Sequence, residues 1–235
     1  IEQTGYKGKK VMMVYEVPQE TIDYLKSKGW DLYQNELQQH IILQRFRDIY
    51  KLLEQFPKDE FQADAWLITG SRHGVYEDLP FIEPLKALIL RIVAAKKPLV
   101  GICFGHQIIA QTMGGHVEKF SGGWSIGLTD YQFEGEKVRI NAWHQDQVVT
   151  LPPKARCTGS NGFCKYAFLE YEDAIFSLQA HPEFDSAFIH GLIQFRGKKN
   201  VPQTLLETAQ SKLSDPNSND ILAEKIATFF KSKAG

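Results

Sequence analysis

The run Gly101-Ile102-Cys103-Phe104-Gly105-His106-Gln107 sets a cysteine among small residues, after the apolar stretch Leu99-Val100-Gly101-Ile102 and before a helix-forming segment. A nucleophile carried on a sharp strand-to-helix turn needs such neighbours, because small residues let the chain pass while the thiol projects into open space. The start of the following helix contributes partial positive charge, and a nearby imidazole can take the thiol proton; together these make a cysteine nucleophilic. A base is available in Gln179-Ala180-His181-Pro182-Glu183-Phe184, which follows the apolar run Ile175-Phe176-Ser177-Leu178. His181 can accept the thiol proton and return it to a departing amine, while Glu183 holds the imidazole in one tautomer and stabilises its cation. Cys103, His181 and Glu183 are therefore the expected catalytic set, suited to attack on a carboxamide or related acyl carbon.

The elements that must position these residues follow from the pattern of apolar residues. Residues 10–17 form a β-rich run ended by Pro18, residues 19–28 are helical in composition, and residues 36–56 carry apolar side chains at close to a 3.6 period. Residues 63–69 are a buried strand running into the Gly70-Ser71 loop, 81–95 a helix, Leu99–Ile102 a strand and 107–113 a helix closed by Gly114-Gly115. Strands alternating with helices predict an α/β fold with a mostly parallel central sheet covered by helices on both faces. Beyond residue 117 the pattern changes to short β-like runs at 127–133, 137–140, 148–149 and 166–170, which should extend the sheet with antiparallel strands. Residues 198–220 are polar and rich in turn formers, predicting a surface excursion before a terminal helix over 221–231. The whole chain, 1–235, is expected to form one domain, with the excursion and helix (198–235) at its end.

Composition narrows the partners. Twenty-seven Lys and Arg against 28 Asp and Glu give a net charge of −1, so no global field recruits nucleic acid or an anionic membrane, and a small-molecule substrate is expected. The longest apolar stretch, residues 85–95, is interrupted by Lys86 and Arg91, well short of the about 18 residues a span needs. The first ten residues lack the apolar core of a signal peptide. Cys103, Cys157 and Cys164 have neither the number nor the spacing of a disulfide framework or a zinc site, which predicts a reducing, cytoplasmic setting and no metal. GxxxxGK[ST] and GxGxxG are both missing from the sequence, so no nucleotide cofactor is expected.

Gly-Ile-Cys-Phe-Gly-His-Gln followed by His-Pro-Glu resembles the class I, or triad-type, glutamine amidotransferases. Agreement runs from about Asp64 to Phe184 and is closest to stand-alone proteins related to the amidotransferase domain of GMP synthetase. The resemblance implies a flavodoxin-like sheet and a glutaminase: attack on the side-chain amide of glutamine, release of ammonia and hydrolysis of a glutamyl thioester. It also implies an oxyanion hole of backbone N–H groups, from Phe104 after the nucleophile and from the Gly70-Ser71 loop. Gln107 matches a family glutamine that contacts substrate. Trp143-His144-Gln145-Asp146-Gln147-Val148 looks like the family's His-Gly-Asp-x-Val loop, whose Asp and backbone grip the amino-acid end of glutamine.

Two departures bear on the substrate. Gly70-Ser71-Arg72 stands where many members have Gly-Gly-Pro, and Arg72 and His73 could read an acceptor or a substrate carboxylate. Gln145 replaces the usual Gly and adds a side chain near the expected ligand. Nothing after Phe184 is long enough to hold a synthase, so either a separate synthase subunit receives the ammonia or the chain is a free hydrolase of glutamine or γ-glutamyl compounds. Two other readings stay open: a non-catalytic ligand-binding or regulatory protein retaining the fold, and a Cys-dependent peptidase of the same superfamily. His-Pro-Glu discriminates against the latter.

Overall fold

Strands buried on both faces must be apolar along their length, whereas strands with one wet face alternate. Both kinds meet in one sheet of the computed structural model, which describes residues 10–15, 30–35, 57, 59–172 and 174–233. Strands β1 (Lys10–Tyr15), β2 (Trp30–Asn35), β3 (Ala65–Ile68) and β4 (Leu99–Ile102) run parallel, and β3 and β4 are buried at every position. A short antiparallel pair, β5 (His116–Lys119) with β8 (Asp146–Thr150), forms a separate ribbon. The hairpin β6 (Ser125–Phe133) and β7 (Glu136–His144) turns through Glu134 and Gly135, both at positive φ, as a two-residue connection requires. Strands β9 (Ala155–Ser160) and β10 (Phe168–Tyr171) lead back to β11 (Ile175–Leu178), which pairs parallel with β4. The order β2-β1-β3-β4-β11-β10-β9-β6-β7 therefore joins five parallel strands to four antiparallel ones.

Side-chain alternation divides the core between the two faces of this sheet. Trp66, Ile68, Leu99 and Ile175 pack against α1 (Ile82–Ala94) and α2 (Phe104–Thr112), through Leu85, Ile89, Ile92, Ile108 and Ile109. Ala65, Leu67, Val100, Phe176 and Leu178 face the other way, against Leu222, Ile226 and Phe230. A third cluster joins α3 (Ser186–Leu192), its continuation through a π turn at Ile193–Gly197, and α4 (Gln203–Ser211). The last helix, α5, spans Asn219–Lys233.

The structure differs from the sequence expectation in three places; the helices expected over 19–28 and 36–56 lie outside the described residues. The helix after Cys103 starts at Phe104 rather than Gln107, because the turn into it is completed within one residue. Strands β2, β5 and β9 were not expected, since polar residues interrupt each of them. The supposed surface excursion contains α4, whose Leu206 and Ala209 are each 3% exposed against β6. The approach is so close that a Cβ on Gly127, which has φ +71°, would stand 2.6 Å from Ala209 Cβ. Leu206→Ala should therefore cost about 2–5 kcal/mol, as deletion of a core leucine does. Urea denaturation monitored by circular dichroism measures it, and a neutral result would return α4 to the surface.

Candidate active site

Strand β4 hands directly to α2 at Cys103, whose φ of 52° and ψ of −104° are unusual for a side chain with a Cβ. Such a conformation costs on the order of 1–3 kcal/mol and persists only where its surroundings enforce it. Three backbone bonds do so: Cys103 N donates to Leu178 O (2.9 Å), Gly105 N to Thr69 O (3.2 Å), and Gln107 N to Cys103 O (3.0 Å). Glycine at the flanking positions is a steric requirement. A Cβ on Gly105 would lie 2.1 Å from Ile68 O, and one on Gly101 would lie 2.6 Å from the Gly105 carbonyl.

His181 and Glu183 follow β11, the parallel neighbour of β4, so the strand pairing delivers them beside Cys103. His181 Nδ1 donates to Glu183 Oε1 at 2.7 Å, and the Cys103 sulfur is near enough to favour the imidazolium. The ring is 4% exposed. Burial opposes its cation, but the Glu183 carboxylate and then the Cys103 sulfur outweigh it and raise the His181 pKa to about 10. Phe184 stacks flat on the imidazole, centroids 3.9 Å apart and planes 5° apart. On the opposite edge, His181 N donates to Asn141 O of β7 (2.8 Å).

The Gly70-Ser71 loop lies directly over this pair, since a Cβ on Gly70 would meet His181 Cε1 at 2.8 Å and Cys103 Cβ at 3.6 Å. Phe104 opens α2, where first-turn N–H groups have no acceptor within the helix. These are the backbone groups that the sequence assigned to an oxyanion. The Ser71 hydroxyl is turned into its own loop, accepting from His73 N (3.2 Å). Arg72 Nε donates to His73 Nε2 (3.4 Å), and His73 Nδ1 and Gly74 N both donate to the Glu77 carboxylate. Arg72 and His73 are thus tied into one loop network.

Of the expected substrate-binding residues, Gln145 and Asp146 fall on the neighbouring β7–β8 corner, and Gln107 reaches it from α2. Gln107 is 3% exposed and gives its amide nitrogen to Asp146 O (2.8 Å) and Gln179 Oε1 (3.1 Å). Gln145 turns its amide to Phe120 O (3.4 Å). The Asp146 carboxylate accepts from Tyr76 OH (3.0 Å), a partner the sequence reading missed; burial raises the Asp146 pKa against that bond. Also missed was a buried polar layer behind the nucleophile. His106 Nδ1 bonds Ser177 Oγ (2.9 Å) and His144 Nδ1 bonds Asp146 O (3.2 Å). Burial lowers both histidines to about 3, which keeps them neutral. Ser177 and Gln179, polar residues in a fully buried strand and its extension, were the available signal.

Cys103, Cys157 and Cys164 are all free thiols. Among the described residues, no group of three or more His, Cys, Asp or Glu could hold a metal ion, and no helix is long and apolar enough to cross a membrane.

Comparison with known proteins identifies the family. Residues 27–191 match the family model described as glutamine amidotransferase class-I. A glutamine amidotransferase-like protein of Schizosaccharomyces pombe is 31% identical over 196 residues, covering 77% of this chain and 79% of that protein. Gamma-glutamyl peptidase 2 of Arabidopsis thaliana is 30% identical over 182 residues, covering 71% and 73%. The crystal structure of a glutamine amido transferase from Methylobacillus flagellatus aligns over 97% of this chain and 94% of its own, with a TM-score of 0.70 at 16% identity, which speaks for the fold.

The His181–Glu183 pair makes a signed prediction. A histidine whose pKa is raised from 6.5 to about 10 adds stability fully below pH about 6.5 and loses it as pH rises through about 10. Glu183→Gln removes the carboxylate, so the stability gap between wild type and variant should be widest near pH 6 and should close above pH 10. Chemical denaturation across that range reads it; a gap that does not depend on pH would rule out the charged pair.

Proposed function

The chain belongs to the class I glutamine amidotransferase family, and within it we propose an amidohydrolase that cleaves the side-chain amide of glutamine or a γ-glutamyl compound. The observation that carries this reading is a buried imidazole bonded to Glu183 and set beside Cys103, which sits at a strained turn directly before a helix. Cys103 attacks the amide carbon as a thiolate, and the resulting tetrahedral oxyanion is held by the N–H groups of Phe104 and the Gly70-Ser71 loop. Preorganised donors of this kind are worth about 3–4 kcal/mol each in the transition state. His181 gives its proton to the departing nitrogen, the C–N bond breaks, and ammonia or an amine leaves a γ-glutamyl thioester on Cys103. His181 then takes a proton from water, the resulting hydroxide attacks the thioester, and the released thiolate regains its imidazolium partner.

Gln107 and the Asp146 corner suit the amino-acid end of such a substrate, with Gln145 held aside on Phe120. The relationship to a γ-glutamyl peptidase supports substitution on the leaving nitrogen, and a free hydrolase needs no synthase subunit to receive ammonia. An unpaired nucleophilic thiol suits a reducing compartment such as the cytoplasm.

Incubation with glutamine and a panel of γ-glutamyl amides and peptides should release ammonia or amine, and Cys103→Ser should lower kcat/KM by at least about 10³-fold. A glutamine-mimicking chloroketone should alkylate Cys103 in the wild type. Turnover that survives in Cys103→Ser removes the mechanism. Absence of both turnover and adduct favours a binding protein that retains the fold.

A further inference from the structure

The loop carrying His181 and Glu183 is held in part from outside the family-matched residues. After Glu183 the chain turns at Phe184, whose carbonyl accepts two side-chain amides: Asn141 Nδ2 at 2.9 Å from β7 and Asn219 Nδ2 at 3.0 Å from the first residue of α5. Phe184 N donates back to His181 O (3.2 Å), and the Phe184 ring lies flat on the imidazole. Fixing that one carbonyl therefore fixes both the ring against His181 and the turn that brings Glu183 Oε1 to 2.7 Å from Nδ1.

Anchoring α5 does not by itself call for this bond. The helix is already docked by buried Leu222, Ile226 and Phe230. Its approach is also pinned by a reciprocal pair, Ser218 N to Arg139 O (2.7 Å) and Arg139 N to Ser218 Oγ (3.0 Å). Among the described residues Asn219 Oδ1 has no partner, so the donor half of its amide is the half in use, and it is aimed at the loop carrying His181 and Glu183. An orphaned buried acceptor is a cost that a packing residue would not carry.

We infer that Asn219, together with Asn141, is a positioning residue for the His181–Glu183 pair, so that the C-terminal segment beyond residue 191 completes the catalytic centre. The inference rests on the reading of His181 as the base. Three variants test it in the full chain: Asn219→Ala, Asn219→Asp, which keeps the shape and loses the donor, and Ser218→Ala, which weakens the same seam without touching the loop. Two measurements are made, steady-state kinetics on a turned-over γ-glutamyl substrate and the pH profile of Cys103 alkylation by iodoacetamide, resolved by mass spectrometry.

Both Asn219 variants should lose about tenfold in kcat with KM changed less than about twofold, and should slow Cys103 alkylation near pH 6 about three- to tenfold, as loss of alignment at a reacting pair does. Ser218→Ala should lower the denaturation midpoint and leave the alkylation profile in place. Wild-type values in Asn219→Ala, or an equal shift in Ser218→Ala, would overturn the inference. If no γ-glutamyl compound is turned over by wild type but Asn219→Ala still shifts the alkylation profile, the proposed function fails and the positioning role stands.

Discussion

Everything at the site depends on how closely backbone approaches backbone around Cys103. Strand β3, strand β4 and the first turn of α2 converge until neither Gly101 nor Gly105 has room for a methyl group, the latter against the carbonyl of Ile68. That crowding holds Cys103 at positive φ and delivers the Gly70-Ser71 loop onto the same sulfur. The register of β4 with β11 then sets His181 three residues beyond Leu178, whose carbonyl holds Cys103 N. A looser crossing would let the turn at Cys103 relax and would separate Cys103, His181 and the Gly70-Ser71 loop together. The site is specified by sheet geometry before any side chain is chosen.

Electrostatics work against that geometry and are offset locally. An imidazole at 4% exposure disfavours its cation, and the buried His106 and His144 obey that rule by remaining neutral. His181 departs from it because the Glu183 carboxylate bonds its ring and the Cys103 sulfur lies nearby. Three histidines in one buried region thus have different charge states for a stated reason: two bond neutral hydroxyl or carbonyl groups, and one lies between a carboxylate and a thiol.

Much of this was legible in the sequence. Apolar runs at Ala65–Ile68, Leu99–Ile102 and Ile175–Leu178 mark the parallel strands, and the small residues around Cys103 mark the elbow. Cys103, His181 and Glu183 were singled out because their spacing reflects chemistry that local pattern records, whereas Gly70 and Phe104 were named on the family resemblance alone. What escaped reading depends on distant partners. Leu206 and Ala209 lie in a polar segment, and only distant docking makes them core, Ala209 on Gly127 of β6 and Leu206 on Gly197. Tyr76 finds Asp146 seventy residues away, and Gln145 turns from the expected ligand toward Phe120. Strands β2, β5 and β9 have polar residues where a period-2 pattern is sought, and their pairing is fixed by neighbours in the sheet rather than by composition.

The outermost strand of the sheet raises a different matter. An edge strand offers unpaired N–H and C=O groups to any other extended chain and so invites aggregation. Strand β7 is such an edge, yet three of its backbone groups are taken from outside the sheet: Ser218 occupies both the N–H and the C=O of Arg139, and His181 N takes the carbonyl of Asn141. Lys137 and Arg139 add charge along the same strand. The backbone bond that seats the imidazole therefore also caps part of the sheet edge, so the candidate site and the protection of that edge draw on the same few atoms.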